Sequence, residues 1–321
     1  MDSRKALDGL AVSLMIILGL TWGLQQVALK ATAAEIAPLL QIAIRSGISA
    51  LLVGIMMAVR GERLSLAGGM WRPGLAVGFL FALEYLLVGE GLRHTTASHM
   101  VIFLYTAPVF AAIGLHLKLN SERLKPVQWF GIALAFGGIV VSFCGRGGHT
   151  AALSVAGIIW GDFLGLAAGM AWGMTTVVIR TSRLSACSAT QTLLFQLLGA
   201  FILLLPAAAG LGQTYFNPTR LGWACLIFQA LIVSFASFLV WFWLLRHYVA
   251  SRLGVLSFMT PLFGVALGAW LLNEPLERGF LAGALLVLTG IVLVSGHGWL
   301  RQLGNGGGPP VQKQAREPEP S

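Results

Sequence analysis

The sequence predicts an all-α integral membrane protein of ten transmembrane helices, arranged as two inverted five-helix repeats. Three observations predict it. The 321 residues are 57% hydrophobic and only 10% charged, with a mean hydropathy of +0.82. Ten apolar stretches are long enough to cross a bilayer. The residue pattern of the first half recurs in the second.

Composition comes first because it excludes the most. Soluble domains carry about 25% charged residues, and a folded soluble chain needs polar groups to cover its surface. A bilayer removes that need. The net charge of +9 would suggest nucleic acid in a soluble protein. Here the cations lie in short loops between apolar stretches, so they report topology, and no nucleic-acid partner is expected. Cys144, Cys187 and Cys225 lie in or beside apolar segments without metal-ligand spacing, which makes them packing residues.

A membrane helix needs about 20 apolar residues to cross a core ~30 Å thick. The ten stretches are roughly 9–29, 36–59, 72–92, 97–117, 127–145, 157–179, 189–209, 221–244, 252–272 and 280–297. Turn and charge signals separate them, as in Arg60-Gly61-Glu62-Arg63 and Asn120-Ser121-Glu122-Arg123. The first stretch is too long for a secretory leader and carries Trp22, Gln25 and Gln26. Residues 301–321 turn to Gly, Pro, Gln and charge, a composition that predicts a disordered tail.

With the N-terminus in the cytoplasm, fifteen of the 21 Lys and Arg fall on the cytoplasmic side and five on the other, with Arg45 inside the membrane. That bias predicts cytoplasmic termini, as an even helix count requires.

Leu92-Arg93-His94-Thr95-Thr96-Ala97-Ser98 matches Leu245-Arg246-His247-Tyr248-Val249-Ala250-Ser251 at five of seven positions, at an offset of 153. The same offset pairs Pro108 with Pro261, Phe110 with Phe263 and Asn120 with Asn273. Near the start of each half an offset of 150 pairs Gly19, Trp22, Gly23 and Lys30 with Gly169, Trp172, Gly173 and Arg180. The repeats are predicted as 1–148 and 149–300. Five helices per repeat is an odd number, so the second repeat enters from the opposite side. Inverted repeats recur in secondary transporters, where two halves exchange roles around a shared site.

Thr21-Trp22-Gly23 followed by Val27-Ala28-Leu29-Lys30 resembles the opening helix of the drug/metabolite transporter superfamily, EamA type. Arg45 resembles the arginine of that family's second helix. Residues 97–141, with Pro108, Glu122-Arg123-Leu124 and Gly131, resemble its fourth and fifth helices, and residues 250–294, with Pro261 and Asn273-Glu274-Pro275, resemble their repeat. The resemblance implies ten helices and movement of a small metabolite, an amino acid or related compound, with export preferred. It implies the plasma membrane, the inner membrane in a bacterium. Gln25-Gln26 stands where the family often has smaller or apolar residues.

A charge in the hydrocarbon core costs about 2.5–3.5 kcal/mol on insertion scales, so Arg45 and Glu84 are expected to face the bundle interior. Both sit ~12–14 Å from the outer helix ends at ~1.5 Å per residue. Two readings stand: a structural ion pair, or Glu84 as a carboxylate that binds substrate or a coupling proton. Phe195 and Ser237 take the equivalent places in the second half, so any charged site is asymmetric. Trp22, Gln25 and Gln26 share a helix face, as do Gln41 and Arg45. With Tyr105, Trp172 and Gln229 they could line a polar-floored cavity with aromatic walls, or act as interhelical glue. Pro108 and Pro261 interrupt helices 4 and 9 as hinges or as tolerated kinks. Glu90 and Asp162 lie nearer the outer ends and read as solvated, and Glu122 and Glu274 as loop or helix-start residues.

No phosphate loop, His-Glu-x-x-His or Gly-x-Ser-x-Gly is present. No cofactor and no metal are expected, and His94 and His99 are badly spaced for one helical metal face. The partners expected are a small-molecule substrate and the lipid bilayer; protons as the coupling ion stand against uniport or exchange, and a homodimer stays open. The alternative to transport is an intramembrane enzyme or a non-transporting scaffold.

Overall fold

Helix α1 (Gly9–Ala31) begins where Asp8 accepts a hydrogen bond from the amide of Ala11, a side-chain N-cap. In a computed structural model, residues 8–62, 69–144, 155–248, 253 and 256–304 are described. The repeat boundary expected near 148, the start of the ninth span and the tail beyond Gly304 lie outside them. α2 (Pro38–Val59) opens on a proline in its first turn, where the missing N–H costs nothing. α3 (Trp71–Gly91) follows.

The fourth span is broken. α4 (Ala97–Leu104) stops and α5 (Ala107–Lys118) starts anew after Tyr105 and Thr106, with Pro108 in the first turn of α5. α6 (Pro126–Cys144) completes the first half. The second half contains α7 (Val155–Thr181), α8 (Ala189–Gly210) and α9 (Arg220–Ile227). Between α9 and α10 (Phe238–His247), residues Phe228–Ser237 form a π-helical stretch. α11 (Met259–Leu272) and α12 (Arg278–Gly304) close the chain. α12 continues through residues 301–304, so the helix outlasts the point where a tail was expected.

Seven spans are long and apolar enough to cross a membrane by length and composition, with Ala97–Lys118 and Arg220–Trp241 each counted as one. Three shorter apolar helices, Pro126–Ser142, Met259–Leu272 and Arg278–Val294, bring the described total to the ten expected. The outer surface is apolar: Leu51, Leu75, Leu117, Val140, Leu262 and Leu285 are all more than half exposed. That exterior suits lipid rather than water.

Each successive span reverses direction. One end of the bundle, the terminal face, carries the start of α1 and the end of α12. The other, the distal face, carries the end of α1 and the starts of α4 and α7.

The two five-helix halves pack together by interleaving. The most extensive contacts cross between them: α6 with α12, α3 with α7 and α8, α2 with α8, and α1 with α11. Close backbone approach explains several of these pairings. A Cβ placed on Gly23 would lie 2.8 Å from the amide nitrogen of Gly264. Its repeat-mate Gly173 is equally tight, 2.7 Å from the Ala107 carbonyl and 2.9 Å from the amide nitrogen of Ala111. Small residues let helices meet without a side chain between them.

Candidate functional site

The polar core is assembled from α1, α2, α3 and the π-helical stretch. Arg45 is 2% exposed on α2. Its guanidinium lies over the Tyr85 ring, 4.5 Å from the centroid, a cation–π contact in a place sheltered from water. Its Nη1 donates to Gln229 Oε1 at 3.1 Å. Gln229 in turn donates to Gln41 Oε1 at 3.2 Å, and Gln41 donates to the carbonyls of Ile36 (2.8 Å) and Thr32 (3.2 Å). On the other side, Gln25 donates to Tyr85 Oη at 3.3 Å. One chain of contacts thus runs from Gln25 through Tyr85, Arg45, Gln229 and Gln41 to the α1–α2 loop.

Glu84 sits beside this chain, 4% exposed. Among the described residues no ion pair joins it to Arg45 within 4.0 Å, although Arg45 is the charge whose field reaches it. Its Oε2 is buried and has no hydrogen-bond partner, and neither has Arg45 Nε nor Gln26 Oε1. Buried polar atoms are nearly always satisfied. Two oppositely charged side chains and one amide thus each keep an unmatched polar atom in the interior. Tyr105, at the break between α4 and α5, packs edge-on against Trp172 with centroids 5.2 Å apart. Tyr85 and Glu84 both lie within its electrostatic reach.

Of the sequence-derived candidates, the structure brings Gln25, Gln41, Arg45 and Gln229 into one chain of contacts, with Glu84, Tyr105 and Trp172 beside it. Trp22 goes elsewhere. Its Nε1 donates to Ser237 Oγ at 2.9 Å, and its ring packs on Phe238 and Trp241. Pro108 starts α5, and Pro261 lies in the first turn of α11, just after a turn at Phe258. Phe258 is the repeat-mate of Tyr105, so the two breaks match.

Asp162 was expected to be solvated near a helix end, and the structure corrects this. α7 begins earlier than the hydropathy indicated, and Asp162 is fully buried. Its Oδ2 lies 2.9 Å from His99 Nδ1, and its Oδ1 accepts from Thr95 Oγ1 at 2.5 Å. The His99 ring is stacked on Phe280 at 3.9 Å. Glu90 remains part-exposed, with Arg93 and His94 beside it and an added hydrogen bond from Gln213. Tyr85 was not singled out from sequence either. Its neighbour Glu84 drew attention through charge, whereas an aromatic among aromatics gave no signal.

The fold and its polar interior define a polytopic membrane protein of the two-repeat transporter type. The EamA-like transporter family matches this chain twice, over residues 9–144 and 159–296, and the chain belongs to that family. A probable amino-acid metabolite efflux pump of Salmonella typhimurium is 28% identical over 91% of this chain and 95% of its own length. The similarly named pump of Escherichia coli is 27% identical over 92% of this chain and 97% of its own. The uncharacterized transporter YvbV of Bacillus subtilis is 29% identical over 88% and 90%. One solved crystal structure superposes with a TM-score of 0.64 at 18% identity, covering 94% of this chain and 99% of that one. That likeness is one of fold.

Proposed function

We propose that this protein is a secondary transporter that exports a small metabolite, an amino acid or related compound, by alternating access across the plasma membrane. The observation that carries the proposal is a pair of buried unmatched atoms on oppositely charged side chains, Arg45 Nε and Glu84 Oε2. A zwitterion offers an acceptor to the first and a donor to the second. Family membership and the names of the two enterobacterial relatives support the class of substrate. The charge bias of the loops supports cytoplasmic termini. Glu84 is also the carboxylate best placed to carry a coupling proton, since a buried, unpaired acid can change charge with access. Interleaved halves of opposite orientation give the two access states related geometries. The repeats are placed at 1–148 and 149–300.

The test is flux into proteoliposomes from a pool of labelled amino acids and metabolites, with and without a pH gradient. Saturable flux that is lost in correctly folded Glu84→Gln supports the proposal. Saturable flux that survives Glu84→Gln with its pH dependence unchanged removes Glu84 from the site and from coupling. Conversion of a pool member without net movement would favour an enzyme instead.

A further inference from the structure

Three groups from three different elements converge on the start of α4. Lys30, at the end of α1, donates through Nζ to the carbonyls of Leu92 and, at 2.8 Å, Thr95. Asp162, on α7, holds the Thr95 hydroxyl and His99. Glu274, in the loop after α11, accepts from the amides of Ala97 (2.6 Å) and Ser98 (2.9 Å) and from Ser98 Oγ (2.6 Å). A carboxylate on the first free amides of a helix is a charge-assisted cap. Here the cap comes from 177 residues away in the chain, in the other half. Lys30 lies within the electrostatic reach of the same carboxylate.

All eight residues of α4 are buried, and its far end is the break at Tyr105 and Thr106. Tyr105 lies within electrostatic reach of Glu84 and packs on Trp172. The half-helix therefore has a charged clamp at one end and the site at the other, with a discontinuity where it could pivot.

The duplicated parts are arranged differently on the two faces. Arg180 is the repeat-mate of Lys30, and Glu122 lies in the loop that corresponds to the one bearing Glu274. On the terminal face these two meet each other at 2.5 Å, and both side chains are exposed, 55% and 38%. On the distal face the carboxylate has instead seated itself on a helix end.

We infer that the start of α4 is a distal gate, held shut by Glu274 and Asp162 and hinged at Tyr105–Thr106, through which the Arg45–Glu84 site opens to the distal side. The inference rests on the transport reading for what passes through the gate. Its geometry stands apart from any substrate. Charged contacts suit such a clamp, because water can replace them when the end swings out, whereas a dry apolar seam would have to be exposed.

The test uses Gln25→Cys as a reporter in a background where Cys144, Cys187 and Cys225 are serine. The protein is reconstituted with its distal face outward, judged by protection of a C-terminal tag. A membrane-impermeant maleimide is added outside, and modification of residue 25 is followed by mass spectrometry. Glu274→Gln should label about tenfold faster than the parent, since one charge-assisted cap is lost. A second variant guards against misfolding. A Cβ on Gly268 would lie 2.5 Å from Ser98 Oγ, so Ser98→Cys with Gly268→Cys can be joined by a disulfide. Oxidation should slow labelling of residue 25 several-fold, and reduction of the same sample should restore it. Labelling that ignores oxidation, or monodisperse Glu274→Gln that labels at the parent rate, overturns the gate. These outcomes leave the transport reading standing if saturable flux persists. Absence of flux in the parent protein, which keeps Gln25, with the labelling changes intact in the reporter would overturn the transport reading and leave the gate.

Discussion

The indole of Trp22 donates a hydrogen bond to the hydroxyl of Ser237 at 2.9 Å. Ser237 occupies the position in the second half that Glu84 occupies in the first. The place of a buried acid is thus taken by a hydroxyl that is already engaged, and it also donates to the Val233 carbonyl. Trp22→Phe and Ser237→Ala should each cost about 1 kcal/mol. The double variant should cost less than the sum of the two, because both remove the same Trp22–Ser237 bond. Melting temperatures of the four proteins in one detergent would show the coupling.

Gly23→Ala places a methyl group 2.8 Å from the backbone of Gly264. The helices α1 and α11 must part to admit it, at a cost of about 1–3 kcal/mol. Gly173→Ala should behave alike, for its surroundings are as tight. Gly137 has nothing within 4 Å of an added Cβ, so Gly137→Ala should melt at or slightly above the parent, since Ala is the better helix former. Equal melting of all three would mean the close approach carries no stability.

Asp162→Asn keeps the shape of the buried carboxylate and removes its charge. The bonds to His99 and Thr95 weaken from charge-assisted to neutral. A loss of about 1–3 kcal/mol is expected, read as a lower melting temperature. The same substitution in the Gln25→Cys reporter should speed its modification, as Glu274→Gln does.

Arg180→Ala breaks the 2.5 Å pair with Glu122. Both partners are substantially exposed, and exposed pairs contribute at most about 1 kcal/mol. Stability should be unchanged within error. A clear drop in melting temperature would show that this pair carries structural weight on the terminal face.

The ten spans were legible because hydropathy and length alone identify a membrane helix, and most ends agree with the structure within a few residues. The repeat was legible because tight packing demands small residues at matched places, as at Gly23 and Gly173. Pro108 and Pro261 announced the two breaks. Interleaving was not legible: matched residues say that two halves are alike, not which helix touches which. Arg45 and Glu84 stood out as charges in apolar runs. Their failure to pair could not be read from equal depth, because the facing of each side chain depends on helix rotation. Asp162 was misplaced because a helix that starts two residues early moves an apparently marginal acid inward. Gln229 was found by depth, yet nothing in Phe228–Ser237 signals the π-helical winding of the backbone around it.

Arg45 depends on Gln229, a residue 184 positions later in the chain. At roughly 5–20 residues per second, synthesis of that interval takes about ten to forty seconds. During it the growing first half enters the membrane with an arginine that has not yet met its amide. The nascent first half is therefore a client for whatever shields polar helix faces during insertion. Slowing translation between the halves should harm yield far more than slowing it after Gln229, even though the finished protein would be identical.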